Sequence, residues 1–192
     1  GVKAGSVYRI TEQGSLTNTD NKLDLAINGR GFFQVLLPSG ETAYTRAGNL
    51  STNDQGQLVT EDGYQIQPAI VFPDDATDIS ISKTGQVQAL QPGNPAPVVL
   101  GNLELATFIN DAGLEAIGDN LLMETAASGA ATISAPGEAG VGILQQGYTE
   151  ASNVDAVTEI TSLIVAQRAY EMNSKVISSA DEMLRTTTQM RS

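Results

Sequence analysis

Short apolar segments separated by turn signals occupy the chain from residue 23 to about residue 148. Apolar and polar residues alternate over residues 23–28, which is the period of a strand with one buried face. Residues 32–37 are apolar almost throughout and predict a buried strand. Glycine-containing turns such as residues 61–63 separate these segments at spacings of roughly 8–12 residues. The pattern predicts an all-β domain built from hairpins.

The β-rich domain is predicted to span residues 23–150, preceded by an extended connector at residues 1–22. Its further strands are predicted at residues 42–46, 57–60, 64–71, 79–82, 86–90 and 103–109. Residues 126–142 are rich in Ala, Gly and Ser and show no periodicity, so they predict a long flexible loop.

The pattern changes near residue 151, because no Gly or Pro interrupts the chain from there to Ser192. Residues 151–192 therefore predict one long helix. Its apolar residues fall into two stripes at heptad spacing rather than one. A helix with two such seams can meet a helical partner on each flank. The candidate interface residues on the two seams are Leu163, Val165, Tyr170, Met172, Val176, Ile177, Met183 and Leu184.

The first turns of this helix differ from the rest. Val157, Ile160 and Ile164 point towards what later becomes the polar face, so these turns are expected to pack on something else. The alternative is a single amphipathic helix that lies on the β core. A helix of almost 40 residues would overhang a β domain of this size, whose expected radius of gyration is only ~15 Å.

Charge and composition narrow the possible functions. The chain has 192 residues and a formal net charge of −12, with six basic and 17 acidic side chains in residues 1–150. Ten scattered Lys and Arg argue against nucleic-acid binding. The absence of His and Cys from the sequence excludes His-based nucleophile systems, disulfides and thiolate chemistry. The longest dense apolar run, residues 32–37, is far shorter than the ~20 residues of a membrane-spanning helix.

Candidate chemistry is weak wherever the sequence suggests it. Asn28-Gly29-Arg30-Gly31 could cradle a phosphate, but it lacks the Lys-Ser/Thr of a P-loop and is better interpreted as a tight turn. The acidic residues 74, 75 and 78 lack the alternating pattern and closing Glu of a calcium loop. Paired carboxylates could hydrolyse a glycoside, yet without Trp there is little for a sugar to stack on. We predict no catalytic residue, metal or cofactor.

Four strings carry a resemblance that covers nearly the whole chain. They are TEQGSLTNTDNKLDLAINGRGFFQV (11–35), AYTRAGNLSTNDQGQLVTEDGYQIQP (43–68), QQGYTEASNVDAV (145–157) and AQRAYEMNSKVISSADEML (166–184). In order and spacing they resemble the bacterial flagellar rod and hook family of axial proteins. The form of residues 27–35, which includes the turn Asn28, Gly29, Arg30 and Gly31, is similar to the distal-rod type more than to hook or proximal-rod members.

The resemblance implies a structural subunit of the flagellar distal rod and no enzyme. In this family the terminal helices pair as a coiled coil inside a hollow helical tube, a β-rich domain packs outside, and the rod transmits motor torque to the hook. The implied partners are further copies of the chain, proximal-rod and hook proteins, the peptidoglycan-layer and outer-membrane rings, and the flagellar export apparatus. The rod crosses the periplasm, and its subunits are exported without a cleaved signal peptide.

One departure from the family concerns the N-terminus. The family's long N-terminal helix has no counterpart in residues 1–22, so the C-terminal helix would form its coiled coil with a segment missing from this sequence. The alternative functions are another axial protein of the rod or hook, and a stalked β-domain binding module such as an adhesin or phage-fibre element. A stalk of that kind should keep one narrow seam and form a closed oligomer, whereas two seams favour open helical assembly.

Overall fold

The computed structural model describes residues 12–93, 96–153 and 156–189. The chain divides into two compact units, residues 1–151 and residues 152–192. The first unit contains strands and one short 3-10 turn, Asp111–Gly113, and the second contains a single helix, α1 (Ala156–Gln189). The predicted fold class, mainly β with a long C-terminal helix, is confirmed.

The strands of the described residues are short, from three to five residues each. They are β1 (Leu16–Asn18), β2 (Leu25–Asn28), β3 (Phe33–Leu36), β4 (Thr42–Thr45), β5 (Leu50–Thr52), β6 (Leu58–Thr60), β7 (Gln65–Gln67), β8 (Asp78–Ile81), β9 (Gln86–Leu90), β10 (Val98–Asn102), β11 (Leu105–Thr107), β12 (Glu115–Gly118), β13 (Leu121–Met123), β14 (Thr132–Ser134), β15 (Ile143–Gln146) and β16 (Tyr148–Glu150).

An antiparallel sheet of seven strands forms the largest layer of the first unit, in the order β12-β13-β4-β3-β7-β6-β5. A three-stranded sheet has the order β10-β9-β8, and three two-stranded pairs join β1 to β16, β2 to β15, and β11 to β14. Two of these pairs, β1–β16 and β2–β15, connect the beginning of the unit to its end. The strands at which the chain enters the unit are therefore paired with the strands at which it leaves.

Strands β3 and β4 lie in the middle of the large sheet and contribute to two cores. Phe33 and Val35 are fully buried in the main core, together with Leu25 and Ile27 of β2. Tyr44 of β4 lies instead in a second, smaller core. Burial on both faces explains why residues 32–37 do not alternate between apolar and polar positions.

The second core is organised around aromatic rings. Phe108 packs edge-to-face on Tyr44 at 4.8 Å between ring centroids and on Phe32 at 5.9 Å. Ala106 and Leu114 complete this core. Burial of the phenol raises the pKa of Tyr44 above its usual value, and the nearby carboxylate of Glu124 raises it further.

The helix is shorter at its beginning than the predicted range 151–192. Residues 151–153 are not helical, and the backbone N–H of Ala151 instead donates to the carbonyl of Ser15 at 2.8 Å. The hydrogen bonding of the β unit thus extends one residue past β16 and delays the helix. Residues 154, 155 and 190–192 of the predicted helix lie outside the described residues.

The predicted flexible loop at residues 126–142 was wrong in part, because this segment contains strand β14, which pairs with β11. The segment begins in a turn where the buried Ser128 hydroxyl accepts from the backbone N–H of Thr125 at 2.9 Å and donates to the Thr125 carbonyl at 2.9 Å. Thr132 and Ile133 favour a strand, but β14 is only three residues long and stands among Ala, Gly and Ser, so no period could reveal it.

The predicted connector at residues 1–22 also contains a strand, since Leu16, Thr17 and Asn18 form β1 opposite β16. Residues 1–11 of the connector lie outside the described residues. The end of the predicted connector is therefore an integral part of the β unit.

We expect Tyr44 to make the wild-type protein less stable at alkaline pH, and Tyr44→Phe to abolish that contribution. The raised pKa of Tyr44 means that the folded state keeps its proton longer than the unfolded state does. Its contribution is complete below the unfolded pKa of about 10 and is lost as pH rises through the higher folded pKa. Denaturant unfolding between about pH 9 and pH 11 should show a flatter decline for Tyr44→Phe than for the wild type. Equal declines in the two proteins would contradict the argument.

Candidate assembly surface and anchoring turn

Helix α1 presents apolar side chains to solvent along its length. At about 1.5 Å per residue, its 34 residues extend over roughly 51 Å. Every side chain that the structure describes in this helix is exposed. Long helices in water owe most of their stability to the packing of an apolar face. The exposed apolar side chains of α1 are thus a candidate surface for association.

The structure places the predicted interface residues on this exposed surface. The described side chains among them are 62–77% exposed, namely Leu163, Val165, Tyr170, Met172, Val176, Ile177 and Met183. Leu184 lies in the helix, but its side chain is outside the described residues. Residues seven positions apart drift by only about 20° around a helix. Leu163, Tyr170 and Ile177 therefore form one seam.

A second seam follows a different line along the same helix. Val165 and Met172 lie seven residues apart, as do Val176 and Met183. We refer to the Leu163 line as seam 1 and to the Val165 line as seam 2. Two seams separated around the helix axis give the helix two apolar flanks, which a single closed pair of helices does not require.

A third exposed apolar group lies in the first turns of α1. It comprises Val157, Ile160 and Ile164, of which Ile164 is the most covered at 45% exposure. These three residues, which we call the first-turn patch, follow the spacing i, i+3, i+7 and share one helix face. The first-turn patch adds a separate apolar surface close to the β unit in sequence.

The turn Asn28, Gly29, Arg30 and Gly31 links β2 to β3 in the β unit. Gly29 has φ +115°, and a Cβ at this position would lie 2.8 Å from the Cα of Gly142. Arg30 donates from Nη2 to the carbonyl of Phe108 at 2.8 Å and contacts Asp111 Oδ2 at 3.2 Å. Backbone crowding and a positive φ together require glycine at position 29. The structure thus places a tight turn here, as the sequence interpretation has it.

Arg46, at the end of β4, holds this turn through its guanidinium group. Its Nη1 donates to the carbonyls of Gly29 at 3.1 Å and Gly31 at 3.0 Å, and its Nη2 donates to the carbonyl of Ile27 at 3.3 Å. The guanidinium also lies 5.9 Å from the centre of the Phe32 ring. One arginine thereby donates to three carbonyls between Ile27 and Gly31.

The same guanidinium pairs with Glu150, the last residue of β16. Arg46 Nε donates to Glu150 Oε2 at 2.9 Å, and Nη2 lies 2.8 Å from the same oxygen. The second oxygen of Glu150 accepts the backbone N–H of Gly14 at 2.9 Å. The side chains are mostly buried, at 23% and 12% exposure. Glu150 therefore links the entering chain, the leaving chain and the turn.

The entering chain also touches the turn directly. Gln13 accepts the N–H of Gly29 on Oε1 at 2.9 Å and donates from Nε2 to the carbonyl of Ile27 at 3.2 Å. We call this group of Gln13, Gly14, residues 27–31, Arg46 and Glu150 the terminal knot. The terminal knot joins the segment that enters the β unit and the segment that leaves it to the turn that leads into β3.

Sequence reasoning identified the turn of the terminal knot but missed Gln13, Arg46 and Glu150. Lys22, Arg30, Arg46 and Lys83 are the basic residues between positions 12 and 151, against many acids. A basic residue at the end of a buried strand in such an acidic domain was the available signal for Arg46. No spacing rule links Arg46 to Glu150, because they are 104 residues apart.

In the described part of the chain, no helix is long and apolar enough to cross a membrane. The same residues contain no group of three or more His, Cys, Asp or Glu side chains suited to hold a metal ion. The features that the structure brings together are thus apolar seams on the helix and hydrogen bonds in the terminal knot.

Two family models match separate parts of the chain. Residues 26–89 match the flagellar hook protein FlgE/F/G D1 domain, and residues 145–190 match the C-terminal region of the flagellar basal body rod FlgEFG proteins. The first match contains the turn and Arg46, and the second contains Glu150 and both helix seams. The geometry described above therefore falls almost entirely within the matched regions.

Individual relatives agree with these models. The chain is 70% identical over 192 residues to the flagellar basal-body rod protein FlgG of Caulobacter vibrioides, covering 100% of this chain and 73% of the relative. It is 53% identical to FlgG of Agrobacterium fabrum, covering 95% of this chain and 70% of the relative. Identity to the basal-body rod protein FlgF of Caulobacter vibrioides is 38%, covering 93% and 69%. The chain is thus more similar to FlgG than to FlgF of the same organism.

We expect Gly29→Ala to destabilise the β unit by about 2 kcal/mol or more, through the positive φ and the contact with Gly142. Gly40→Ala is the matched control, because Gly40 has φ +87° but a Cβ there would meet nothing within 4 Å. Its cost should be about 1 kcal/mol. Denaturant unfolding of both variants measures the difference, and equal losses would show that crowding at Gly29 has no effect.

Proposed function

The chain belongs to the bacterial flagellar rod and hook protein family, of the distal-rod type, and from this premise we propose how its two units act in the assembled rod. It is a structural subunit of the flagellar distal rod, the drive shaft that transmits motor torque to the hook. The family is one of structural proteins that self-assemble and associate with other flagellar components. The relatives give no support to a stalked adhesin or phage-fibre module.

In this proposal the helix forms the inner layer of the tube. Seam 1 and seam 2 each pack against a helix of the rod, contributed by another subunit or by the N-terminal helix typical of the family. The observation that carries this assignment is the exposure of Leu163, Tyr170, Met172, Val176 and Ile177 along a helix of 34 residues. Burying each such side chain contributes about 1.5–3 kcal/mol.

Two seams also account for open growth rather than closed oligomers. A subunit whose two apolar flanks differ makes heterologous contacts, which continue into a helical array when the rotation does not close. Tyr170 lies on seam 1, and Met172 and Met183 lie on seam 2, so the two flanks differ in shape and polarity. Such asymmetry favours a defined direction of assembly.

The β unit forms the outer layer of the rod in this proposal, spanning residues 23–150 with the strand β1 added. Its function lies in interfaces rather than in catalysis, and it requires no metal or cofactor. Acidic residues outnumber basic ones by 17 to six in residues 1–150. The neighbours proposed for this unit are the proximal-rod and hook proteins along the axis and the peptidoglycan-layer and outer-membrane rings around it.

The basal-body rod is the location of the relatives, and we assign this chain to the part of the rod that crosses the periplasm. Its subunits would reach that place through the flagellar export apparatus without a cleaved signal peptide. A chain without cysteine can complete its fold after export without forming a disulfide.

We expect Val176→Asp or Ile177→Asp in the full-length protein to abolish rod assembly. Each places an unpaired carboxylate in an apolar helix interface, at a cost of several kcal/mol. The measurement is electron microscopy of basal bodies from cells that carry the variant, together with a swimming assay. The purified variants should keep the circular dichroism of the β unit, because the substitutions lie in α1.

Ser174→Asp is the matched control for these variants. It introduces the same side chain between the same turns of α1, but Ser174 lies on the polar face outside both seams. Cells with Ser174→Asp should assemble rods and swim. Normal flagella in the Val176→Asp or Ile177→Asp cells would overturn the two-seam assignment, and a defect in all three would indicate that any charge on the helix is harmful.

A further inference from the structure

The ribbon of β1 and β16 connects the β unit to the rest of the chain, yet it lies outside both apolar cores. It pairs only Leu16–Asn18 with Tyr148–Glu150. None of these six residues belongs to either of the two apolar clusters in the described part of the chain. A two-stranded ribbon of this length is marginally stable by itself in water. Polar contacts must therefore keep it attached.

At one end of the ribbon Asp24 supplies such contacts, since it accepts the N–H of Gly147 at 2.8 Å and the hydroxyl of Thr19 at 2.6 Å. At the other end they are supplied by Glu150. Its carboxylate joins Arg46 of the large sheet at 2.8 Å and the backbone N–H of Gly14 in the entering chain at 2.9 Å. Arg46 in turn binds the carbonyls of the turn at residues 27–31, which leads directly into β3. The ion pair thus bridges from the last residue of the ribbon to the two central strands of the unit.

The position of Glu150 along the chain determines where a force transmitted from the helix first acts on the β unit. Helix α1 begins at Ala156, shortly after Glu150, so a force that reaches the β unit along the chain arrives first at β16. Without the bridge, that force would act on the three pairs of the ribbon one after another. With the bridge, it acts at once on β4 and on the turn before β3, which are anchored in the main core and the second core.

We propose that the Arg46–Glu150 ion pair is a mechanical latch, which couples the ribbon to the central sheet and lets the β unit resist the torque carried by the rod. Arg46 and Glu150 are positioning residues in this role, since they hold chain segments rather than a ligand. The mechanical part of the proposal rests on the function proposed above, whereas the coupling of ribbon to sheet does not.

Amide hydrogen exchange on the full-length chain tests the coupling. The N–H groups of Thr19 and Ala151 report on the ribbon, because they donate to the carbonyls of Gly147 and Ser15. The N–H groups of Phe32 and Leu58 report on the cores, because they donate to the carbonyls of Ala106 and Ile70. Glu150→Gln keeps the shape of the side chain but removes the charge that binds Arg46.

We expect Glu150→Gln to raise exchange at Thr19 and Ala151 by about tenfold or more, while exchange at Phe32 and Leu58 stays within about twofold. Arg46→Met should also raise exchange at Thr19 and Ala151 and leave exchange at Leu58 within about twofold. Phe32 is not used as a core reporter for this variant, because Arg46 donates to the carbonyl of Gly31 just before it. Unchanged exchange at Thr19 and Ala151 would overturn the latch. An equal increase at Phe32 and Leu58 would also overturn it, because the pair would then act on global stability.

Lys22→Met is the matched control. Lys22 and Asp78 form an ion pair at 2.6 Å in the same unit, but their side chains are 61% and 51% exposed. An exposed pair contributes little to stability. The Lys22 ammonium, chiefly by its hydrogen bond, lowers the pKa of the Asp78 carboxyl. We expect Lys22→Met to leave exchange at Thr19 and Ala151 unchanged.

Shearing of isolated hook–basal bodies tests the mechanical part. Cells with Glu150→Gln should build complete rods that break at the distal rod at least about three times as often as wild-type or Lys22→Met rods, as expected from a locally loosened ribbon. Equal breakage would overturn the mechanical role while leaving the exchange result intact. Complete rods in cells that lack the gene would instead overturn the proposed function itself.

Discussion

Burial of β3 and β4 on both faces is the constraint around which the β unit is arranged. Phe33 and Val35 lie in the main core and Tyr44 in the second, so strands must cover the large sheet on each side. β11 provides part of this cover through the bridge between Phe32 and Ala106. The turn at residues 27–31 then delivers the chain into β3. The carbonyls of its two buried residues, Ile27 and Gly31, need donors there.

Arg46 donates to these carbonyls, and its own charge affects residues outside the turn. A buried guanidinium requires a counter-charge and acceptors for its donors, which Glu150 and the carbonyls of Ile27, Gly29 and Gly31 supply. Because Glu150 is the last residue of β16, the electrostatic requirement of the turn also fixes the place where the chain leaves. Apolar burial holds the two cores together, whereas ion pairing and hydrogen bonding hold the segments by which the chain enters and leaves the β unit.

Local patterns predicted most of the strands whose side chains make the main core, and the helix whose apolar residues repeat at heptad spacing. They did not predict β5, β13 and β15, which contribute Leu50, Leu121 and Leu144 to the same core. Residues 23–28 and 32–37 carry their strand signals in period or composition alone. The strands that were missed are β1, β5, β10 and β12 to β16. β14 is only three residues long within a run of small residues, and β1 and β16 are short strands made mostly of polar residues. β10 and β13 contain apolar residues, but too few in succession to show a period. The Arg46–Glu150 contact joins residues that only the folded topology brings together, so no local pattern could indicate it.

The two units also differ in where their stability originates. The β unit buries most of its large apolar residues within itself, whereas the described apolar side chains of α1 are exposed. The residues of an isolated helix contribute little stability by themselves. Association with other helices supplies the apolar burial that α1 lacks as a monomer. In the proposed assembly this division means that the helix becomes fully stable only when it packs against other subunits, while the β unit carries its own cores. The terminal knot lies between the two units along the chain, and its polar contacts join the entering and leaving segments to residues next to both cores, Ile27 in the main core and Phe32 in the second.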